Sequence, residues 1–228
     1  MTAPTPEQRR LPGTLVTVDG PGGVGKSTTV ARLVELLTAT GTAAHGTTQP
    51  SRTPLGELIR HGTDTFHGLA LAHLCAGDRH HQLTDEVLPA LATGTVVVSD
   101  RYVPASLVLQ GLDGLSADTV WTINHGVYRP DLTVILNAHP DTIECRLRTR
   151  GAHSRFERDP DNAIRESLGY HHTANYLREH GWPVVTIDTT STHPDRTAAQ
   201  IADLIRSPHA RTTTNTTERT PQENPACP

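Results

Sequence analysis

Residues 20–27, Gly-Pro-Gly-Gly-Val-Gly-Lys-Ser, decide the fold of this chain. They fit the pattern GxxxxGK[ST] at every fixed position. The β-branched run at 14–19 (TLVTVD) precedes them and is typical of a buried strand, and a helical stretch from Lys26 to about Thr38 follows. Strand, glycine-rich loop and helix in this order are the context in which the pattern binds phosphate.

The chemistry of this loop depends on its residue types. Glycines let the backbone curl so that successive N–H groups point at phosphate oxygens, and the start of the helix adds partial positive charge. Lys26 is predicted to reach the β- and γ-phosphates of a nucleotide. Ser27 offers a hydroxyl to Mg²⁺. The sequence therefore predicts a nucleotide-binding protein.

Composition excludes several other classes. The 228 residues carry a net charge of −4, which argues against a protein that grips nucleic acid. With 35% hydrophobic residues and no long apolar window, a membrane protein is excluded as well. Lys26 is the single lysine beside 19 arginines, so the Asn-Lys-x-Asp segment with which GTPases read guanine is absent. This favours a small-molecule kinase.

The chain is predicted to form one domain over 13–206, between a flexible N-terminus at 1–12 and a disordered tail at 207–228 that is poor in apolar residues. Short apolar runs alternate with helical stretches, including a long helix over 69–91. This pattern predicts an α/β fold of three layers with a five-stranded parallel sheet. The expected strands are 14–19, 42–47, 95–100, 132–136 and 184–188. Three scattered cysteines and no secretory leader favour a cytoplasmic protein.

A second chemical signal lies at the end of the most β-branched strand. Asp100 follows this strand directly and is expected to lie beside the phosphate loop, where it can hold Mg²⁺. Arg101 next to it can clamp a second phosphate through two parallel hydrogen bonds. Ser27 and Asp100 are thus the predicted metal ligands.

From about Thr14 to Ile205, the chain resembles the thymidylate kinase family of P-loop nucleoside monophosphate kinases. Six short motifs appear in the family's order after the phosphate loop. They are Thr-Pro-Leu-Gly-Glu at 53–57, Asp-Arg at 78–79, Asp-Arg-Tyr at 100–102, Gln-Gly at 110–111, Pro-Asp-Leu-Thr at 130–133, and an arginine-rich segment that runs from Arg148 to Glu157.

The resemblance implies roles for individual residues. It implies a homodimer that uses Mg²⁺ and ATP, with Lys26, Asp100, Arg101, Arg150 and Arg155 as the catalytic set. Arg150 and Arg155 would belong to a mobile lid at about 150–160 that closes over the transferring phosphoryl group. The implied ATP-binding residues are Gly20, Gly22, Gly23, Gly25, Lys26, Ser27 and Thr28. The implied acceptor-binding residues are Arg52, Cys75, Arg79, Arg101, Ser106, Leu109 and Gln110.

The departures from the family pattern all concern the acceptor. Gly22 stands where the family usually has an acidic residue in the loop, and 47–50 read Thr-Thr-Gln-Pro in place of Thr-Arg-Glu-Pro. Cys75 replaces the aromatic residue that stacks on thymine, and Leu109 replaces a tyrosine near the sugar. Ser106 belongs to an Ala-Ser pair in place of the usual Ser/Asn pair, and Arg52 is a candidate substitute for the lost arginine.

Three hypotheses follow from these observations. The first is an ATP- and Mg²⁺-dependent kinase that converts dTMP to dTDP. The second is a family member that phosphorylates a modified nucleotide or another phosphorylated small molecule in a specialised pathway. The third is a nucleotide-binding regulator that transfers no phosphoryl group, against which the lid arginines argue.

Overall fold

The computed structural model describes residues 10–151, 155–158 and 162–207. In this part of the chain, five strands form one parallel sheet of order β2-β3-β1-β4-β5. The strands are β1 Thr14–Asp19, β2 Ala44–Thr48, β3 Val96–Asp100, β4 Leu132–Asn137 and β5 Val184–Asp188. The predicted α/β fold with a five-stranded parallel sheet is confirmed.

Helices connect these strands and cover the sheet. They are α1 Lys26–Ala39, α2 Pro54–His61, α3 Gly68–Gln82, α4 Leu88–Ala92, α5 Val103–Leu112, α6 Ala117–Ile123, α7 Pro140–Arg150, α8 Arg155–Arg158, α9 Asn162–Glu179 and α10 Pro194–Arg206. A π-helical segment, Leu83–Val87, joins α3 to α4. The helix predicted over 69–91 is therefore continuous and consists of α3, the π-helical segment and α4.

Two hydrophobic cores, one on each face of the sheet, give the three layers. Because side chains of a strand alternate between its faces, Val16 and Val18 join the core under α1, α7 and α10, while Leu15 joins the opposite core. That second core packs the segment from α3 to α4, with α5 and α9, against the sheet. Both faces are covered, as all-parallel sheets require.

Register determines where the functional side chains meet. Val18 pairs with Asp100 on β3, and Asp19 pairs with Ile135 on β4, so the carboxyl ends of the three central strands lie at one edge. The phosphate loop leaves β1 at this same edge. In open α/β sheets ligands bind beyond this edge of the strands.

Some sequence-based boundaries lie elsewhere in the structure or outside its described part. The second strand begins at Ala44 instead of Thr42. Most of the predicted N-terminal segment and tail, and residues 152–154 and 159–161 of the predicted lid, lie outside the described residues. Among the described residues, no helix is long and apolar enough to cross a membrane.

Candidate active site

The phosphate loop curls between β1 and α1 as its glycines allow. Gly23 and Gly25 have φ of 75° and 97°, in the left-handed region that favours glycine. Lys26 is buried, and its Nζ donates a hydrogen bond of 2.7 Å to the backbone oxygen of Pro21. Burial, helped by the positive charge of Arg101, lowers the pKa of Lys26 to about 7. The lysine is thus held in the loop by this hydrogen bond. A bound anion such as a phosphate would raise its pKa again and favour the charged amine.

Ser27 and Asp100 form the oxygen pair that the sequence predicts as metal ligands. The Ser27 hydroxyl donates to Oδ2 of Asp100 at 2.5 Å. Oδ1 of Asp100 is buried and has no hydrogen-bond partner among the described residues. A hydroxyl and a carboxylate with a free oxygen suit Mg²⁺, which binds through few protein oxygens and keeps several waters. The described residues contain no cluster of three His, Cys, Asp or Glu that could hold a metal by itself.

Arg101 occupies a strained backbone conformation beside this pair. Its φ of 75° is the only positive value at a non-glycine residue in the described chain. Such a conformation costs about 1–3 kcal/mol and is typical of functional sites. Its Nη1 lies 3.5 Å from the Tyr170 hydroxyl. Burial acts to lower the pKa of Arg101, but the negative groups around it, Asp100 and Glu166 among them, raise it above its usual value. The guanidinium is therefore a fixed positive charge.

Asp19, at the end of β1, interacts electrostatically with both Arg101 and Lys26. Its Oδ1 accepts hydrogen bonds from the backbone N–H groups of Tyr102 and Ala105, both at 3.1 Å. Oδ2 is buried and without a partner in the described part of the chain. Burial raises the pKa of Asp19 from 3.8 to about 6, against the opposing effect of the Tyr102 hydrogen bond and of the charge on Arg101. Asp19 thus fixes the start of α5 to the end of β1.

Arg79, on α3, is the centre of a buried polar network. Its Nε donates to Oε1 of Gln49 at 2.8 Å, and its Nη1 donates to Oδ1 of Asn124. Its Nη2 donates to the Tyr102 backbone oxygen at 3.2 Å and to the Ser106 hydroxyl at 2.9 Å. These bonds orient the guanidinium completely. The role that the resemblance implies for Arg79, contact with the acceptor base, stays a prediction.

The remaining predicted acceptor residues differ in exposure. Gln110 is buried; its Nε2 lies 3.7 Å from Sγ of Cys75, and its Oε1 has no partner among the described residues. Leu109 and Cys75 are half-buried and pack against the apolar cluster of Ile59, Leu71 and Phe156. The side chain of Arg52 is 74% exposed, with Nη1 3.4 Å from Oε1 of Glu57.

The predicted lid would begin at the end of α7. Nη2 of Arg150 lies 2.6 Å from Oε2 of Glu157, which belongs to α8. This ion pair joins α7 to α8 beside the phosphate loop. The side chain of Arg155 lies outside the described residues. The arrangement brings one of the two predicted lid arginines to the site.

A single cavity of about 2000 Å³ connects these groups. Gly23, Gly25 and the segment 26–28 line it, whereas Gly20 and Gly22 do not. Asp100, Arg101 and Arg150 line the same space. At its far end lie all the other predicted acceptor residues, which are Arg52, Cys75, Arg79, Ser106, Leu109 and Gln110. The cavity therefore has room for two ligands that meet near Lys26 and Arg101.

Comparison with known proteins agrees with this geometry. The sequence model of the thymidylate kinase family matches residues 18–195. The chain belongs to the thymidylate kinase family. It is 34% identical over 200 residues to a probable thymidylate kinase of Pyrobaculum aerophilum, a match that covers 84% of this chain and 95% of the relative. A probable thymidylate kinase of Caldivirga maquilingensis is 33% identical over 174 residues, which cover 75% of this chain and 83% of the relative.

A bacterial thymidylate kinase is also similar to this chain, over a shorter stretch. The thymidylate kinase of Xanthomonas oryzae pv. oryzae is 35% identical over 148 residues, covering 64% of this chain and 65% of the relative. The protein is therefore a nucleoside monophosphate kinase, and the family expected from the six motifs is confirmed.

Sequence reasoning missed several residues of this kinase's site. Arg146 and Thr189 line the cavity on the side away from the acceptor residues, with Nη2 of Arg146 donating to the Thr189 backbone oxygen at 3.0 Å. The sequence pattern marks Asp19 only as the end of a strand. It marks Gln49 only as a departure from the family pattern, although Gln49 is the partner of Arg79. The signal that could have found Asp19 is its place directly before the phosphate loop.

Proposed function

We propose that this kinase transfers the γ-phosphoryl group of ATP to dTMP with the help of Mg²⁺, and that it releases ADP and dTDP. The observation that carries this proposal is the single cavity in which the phosphate loop and the acceptor residues face a common space around Lys26 and Arg101. The relatives' printed name, thymidylate kinase, supports dTMP as the acceptor.

The donor end would hold ATP mainly through backbone groups. The N–H groups of the phosphate loop and the amine of Lys26 would bind the β- and γ-phosphates. Ser27 and Asp100 would hold Mg²⁺, which neutralises the charge on these phosphates when bound. Arg146 and the segment around Thr189 line the adjoining part of the cavity, which leaves that part for the nucleoside of ATP.

The acceptor end would place dTMP in line with the donor. Arg101 would bind its phosphate, one oxygen of which attacks the γ-phosphorus while the bond between that phosphorus and the β–γ bridging oxygen breaks. Arg150 and Arg155 would stabilise the charge on the transferring group and exclude water. The free Oε1 of Gln110 is a hydrogen-bond acceptor, which suits the N–H of a thymine ring.

A second acceptor is supported by the wall of the same pocket. Cys75 and Leu109 stand where the family usually has aromatic side chains, and they pack within an apolar cluster. Stacking of a base on an aromatic ring is worth about 1–3 kcal/mol, and neither Cys75 nor Leu109 can supply it. The alternative function is therefore phosphorylation of a modified nucleotide or another phosphorylated small molecule.

The decisive experiment is a panel of acceptors read by mass spectrometry. The purified full chain is incubated with ATP, Mg²⁺ and each common nucleoside monophosphate, with and without EDTA. Formation of dTDP that requires ATP and Mg²⁺ would support the proposal, and preference for another acceptor would support the alternative. Transfer to none of them would count against dTMP as the acceptor, and ATP binding without transfer across a panel widened to modified nucleotides would favour a nucleotide-binding regulator.

A matched pair of variants assigns the reaction to this site. Asp100→Asn should lose most of the Mg²⁺-dependent transfer, whereas Asp203→Asn, on the exposed side of α10, should keep it. The homodimer that the resemblance implies and the cytoplasmic location that the scattered cysteines favour both stay predictions. Sedimentation of the purified protein and fractionation of its native cells would test them.

A further inference from the structure

The middle of the phosphate loop is held from outside by a buried carboxylate that no sequence motif contains. We infer that Glu166, on α9, is a positioning residue that fixes the phosphate loop for binding of the donor phosphates. The inference rests on the proposed function, because it concerns the same loop and the same reaction. It adds a residue from a helix far away in the sequence.

A direct hydrogen bond connects the two elements. The backbone N–H of Gly22 donates to Oε2 of Glu166 at 2.9 Å, and the two residues lie 144 positions apart. Glu166 is only 3% exposed. A hydrogen bond to a charged acceptor is stronger than a neutral one, and burial removes the competition of water. The bond therefore limits the motion of a loop that is otherwise rich in glycine.

The surroundings of Gly22 leave little space for a side chain at this position. A Cβ at this position would lie 2.7 Å from Oε1 of Glu157, too close without a shift of that side chain. The space beside Gly22 is thus already occupied by α8, and Glu157 is in turn paired with Arg150. The carboxylate of Glu166 instead fixes the loop through the backbone N–H of Gly22.

Charge gives Glu166 a second connection to the site. Burial raises the pKa of Glu166, whereas the Gly22 hydrogen bond and the charges of Arg101 and Lys26 oppose that shift. In the other direction, the Glu166 carboxylate favours the charged forms of both Lys26 and Arg101. These cations lie on the donor and acceptor sides of the cavity. The buried carboxylate of Glu166 thus offsets part of the repulsion between these two cations.

Glu166 acts through these neighbours and not on a ligand. Neither Glu166 nor Gly22 lines the cavity, whereas the adjacent Gly23, Lys26 and Arg101 do. It is therefore a positioning residue. Because its one hydrogen bond within the described part of the chain is to the phosphate loop, its loss should affect the donor more than the acceptor.

The test compares variants of the full chain by steady-state kinetics with ATP and dTMP. Glu166→Ala should raise the KM for ATP about tenfold or more, since a hydrogen bond to a charged group is lost, and should change the KM for dTMP much less. Glu166→Gln keeps an oxygen that can accept from Gly22 and should restore the KM for ATP to within about threefold of wild type. Glu179→Ala, an exposed position on the same helix, should leave both constants unchanged.

A second readout does not depend on turnover. Hydrogen exchange of the Gly22 amide, followed by NMR, should be slow in the wild type and Glu166→Gln and fast in Glu166→Ala. Binding of a non-hydrolysable ATP analogue should weaken in parallel with the exchange. If the wild type phosphorylates no acceptor, the proposed function fails, but these two measurements still test Glu166.

Three outcomes would overturn the inference. The first is a Glu166→Ala variant that binds the analogue as tightly as wild type. The second is an unchanged exchange rate of the Gly22 amide. The third is a fall in kcat with both KM values unchanged, which indicates only fewer folded molecules. Should Glu166→Ala fail to fold, Glu166→Asp withdraws the carboxylate by one methylene and is expected to show the same rise in the KM for ATP.

Discussion

The donor and acceptor ends of the cavity are built in opposite ways. The donor end consists mainly of backbone groups from one continuous segment, 23–28, with Lys26 and Ser27 as its main side chains. The acceptor end consists of side chains from α3, α5 and the loop after β2, in which Arg79 already bonds to four protein groups. A binding site made of backbone amides keeps its hydrogen-bond donors when neighbouring side chains are substituted. A network of side chains changes whenever one member does, and apart from Gly22 the departures from the family pattern lie at this end.

The largest effect is expected at the one lysine of the donor end. Lys26→Met should lower kcat/KM by about 10³-fold or more, because the charge that meets the transferring phosphoryl group is lost. Arg206→Met, at the exposed end of α10, removes a cation without effect. Steady-state kinetics measure both. A Lys26→Met enzyme of normal activity would contradict the donor assignment.

The same lysine allows a chemical test of nucleotide binding at the phosphate loop. Burial and Arg101 lower the pKa of Lys26 to about 7, so its amine is largely unprotonated at mildly alkaline pH and reacts with acetylating reagents. As Lys26 is the only lysine, peptide mass spectrometry should find acetylation there and at the N-terminus only. ATP should protect Lys26. Labelling that is indifferent to ATP would argue against a nucleotide in this loop.

At the acceptor end, Arg79→Ala should destabilise the protein. The substitution leaves the oxygens of Gln49 and Asn124 buried without donors, at about 1–3 kcal/mol for each unsatisfied group. We expect the free energy of unfolding to fall by about 3 kcal/mol or more in urea titrations. The exposed Arg196→Ala on α10 serves as the control. The prediction would be wrong if the two variants unfolded at the same urea concentration.

Asp19 is coupled electrostatically to Lys26 and Arg101, and its titration should make the free energy of unfolding depend on pH. Its folded pKa of about 6 exceeds its ordinary value of 3.8, so the folded state binds the proton more tightly. The stabilisation from this group is fully present below the unfolded pKa and is lost as the pH rises through about 6, with a total of at most about 3 kcal/mol.

Asp19→Asn removes this dependence on pH. The free energy of unfolding of the variant, relative to wild type, should therefore increase from about pH 4 to about pH 7. Chemical denaturation of the ligand-free protein at several pH values measures this difference. Asp203→Asn, at an exposed position, should show none of this trend. A flat profile for Asp19→Asn as well would mean that Asp19 titrates normally.

The smallest effect is expected at Cys75 and separates the two acceptor hypotheses. Cys75→Phe adds a ring to the acceptor wall, so the KM for dTMP should fall by up to about tenfold if thymine is the natural base, since stacking is worth about 1–3 kcal/mol. Cys75→Ser, which changes only one atom, should alter it by less than about threefold. Loss of all acceptor binding in Cys75→Phe, with ATP binding intact, would favour another acceptor.

Much of the donor end could be predicted from the sequence. The eight residues of the loop are local, and their backbone conformation follows from glycine, so strand, loop and helix appeared as expected. Asp100 and Ser27 could also be paired in advance, because parallel strands end at one edge of the sheet. The five parallel strands followed from β-branched runs separated by helices.

The acceptor end could not be predicted to the same depth. The motif at 78–79 singled out Arg79, but only the fold shows that Gln49, Asn124 and Ser106 bond to it, since these residues come from three different segments. The sequence predicts a long helix over 69–91, and only the structure shows the π-helical turn at Leu83–Val87 within it.

The sequence by itself thus determined the fold class, the family and the phosphate loop, because each depends on local pattern and on the spacing of residues along the chain. Only the tertiary structure decided which side chains hold these parts in place. Glu166 reaches Gly22 across 144 positions, and Asp19 joins β1 to α5 through two backbone amides. Buried polar groups require partners, and the packing of helices on the sheet, which no local pattern records, determines which partners are near.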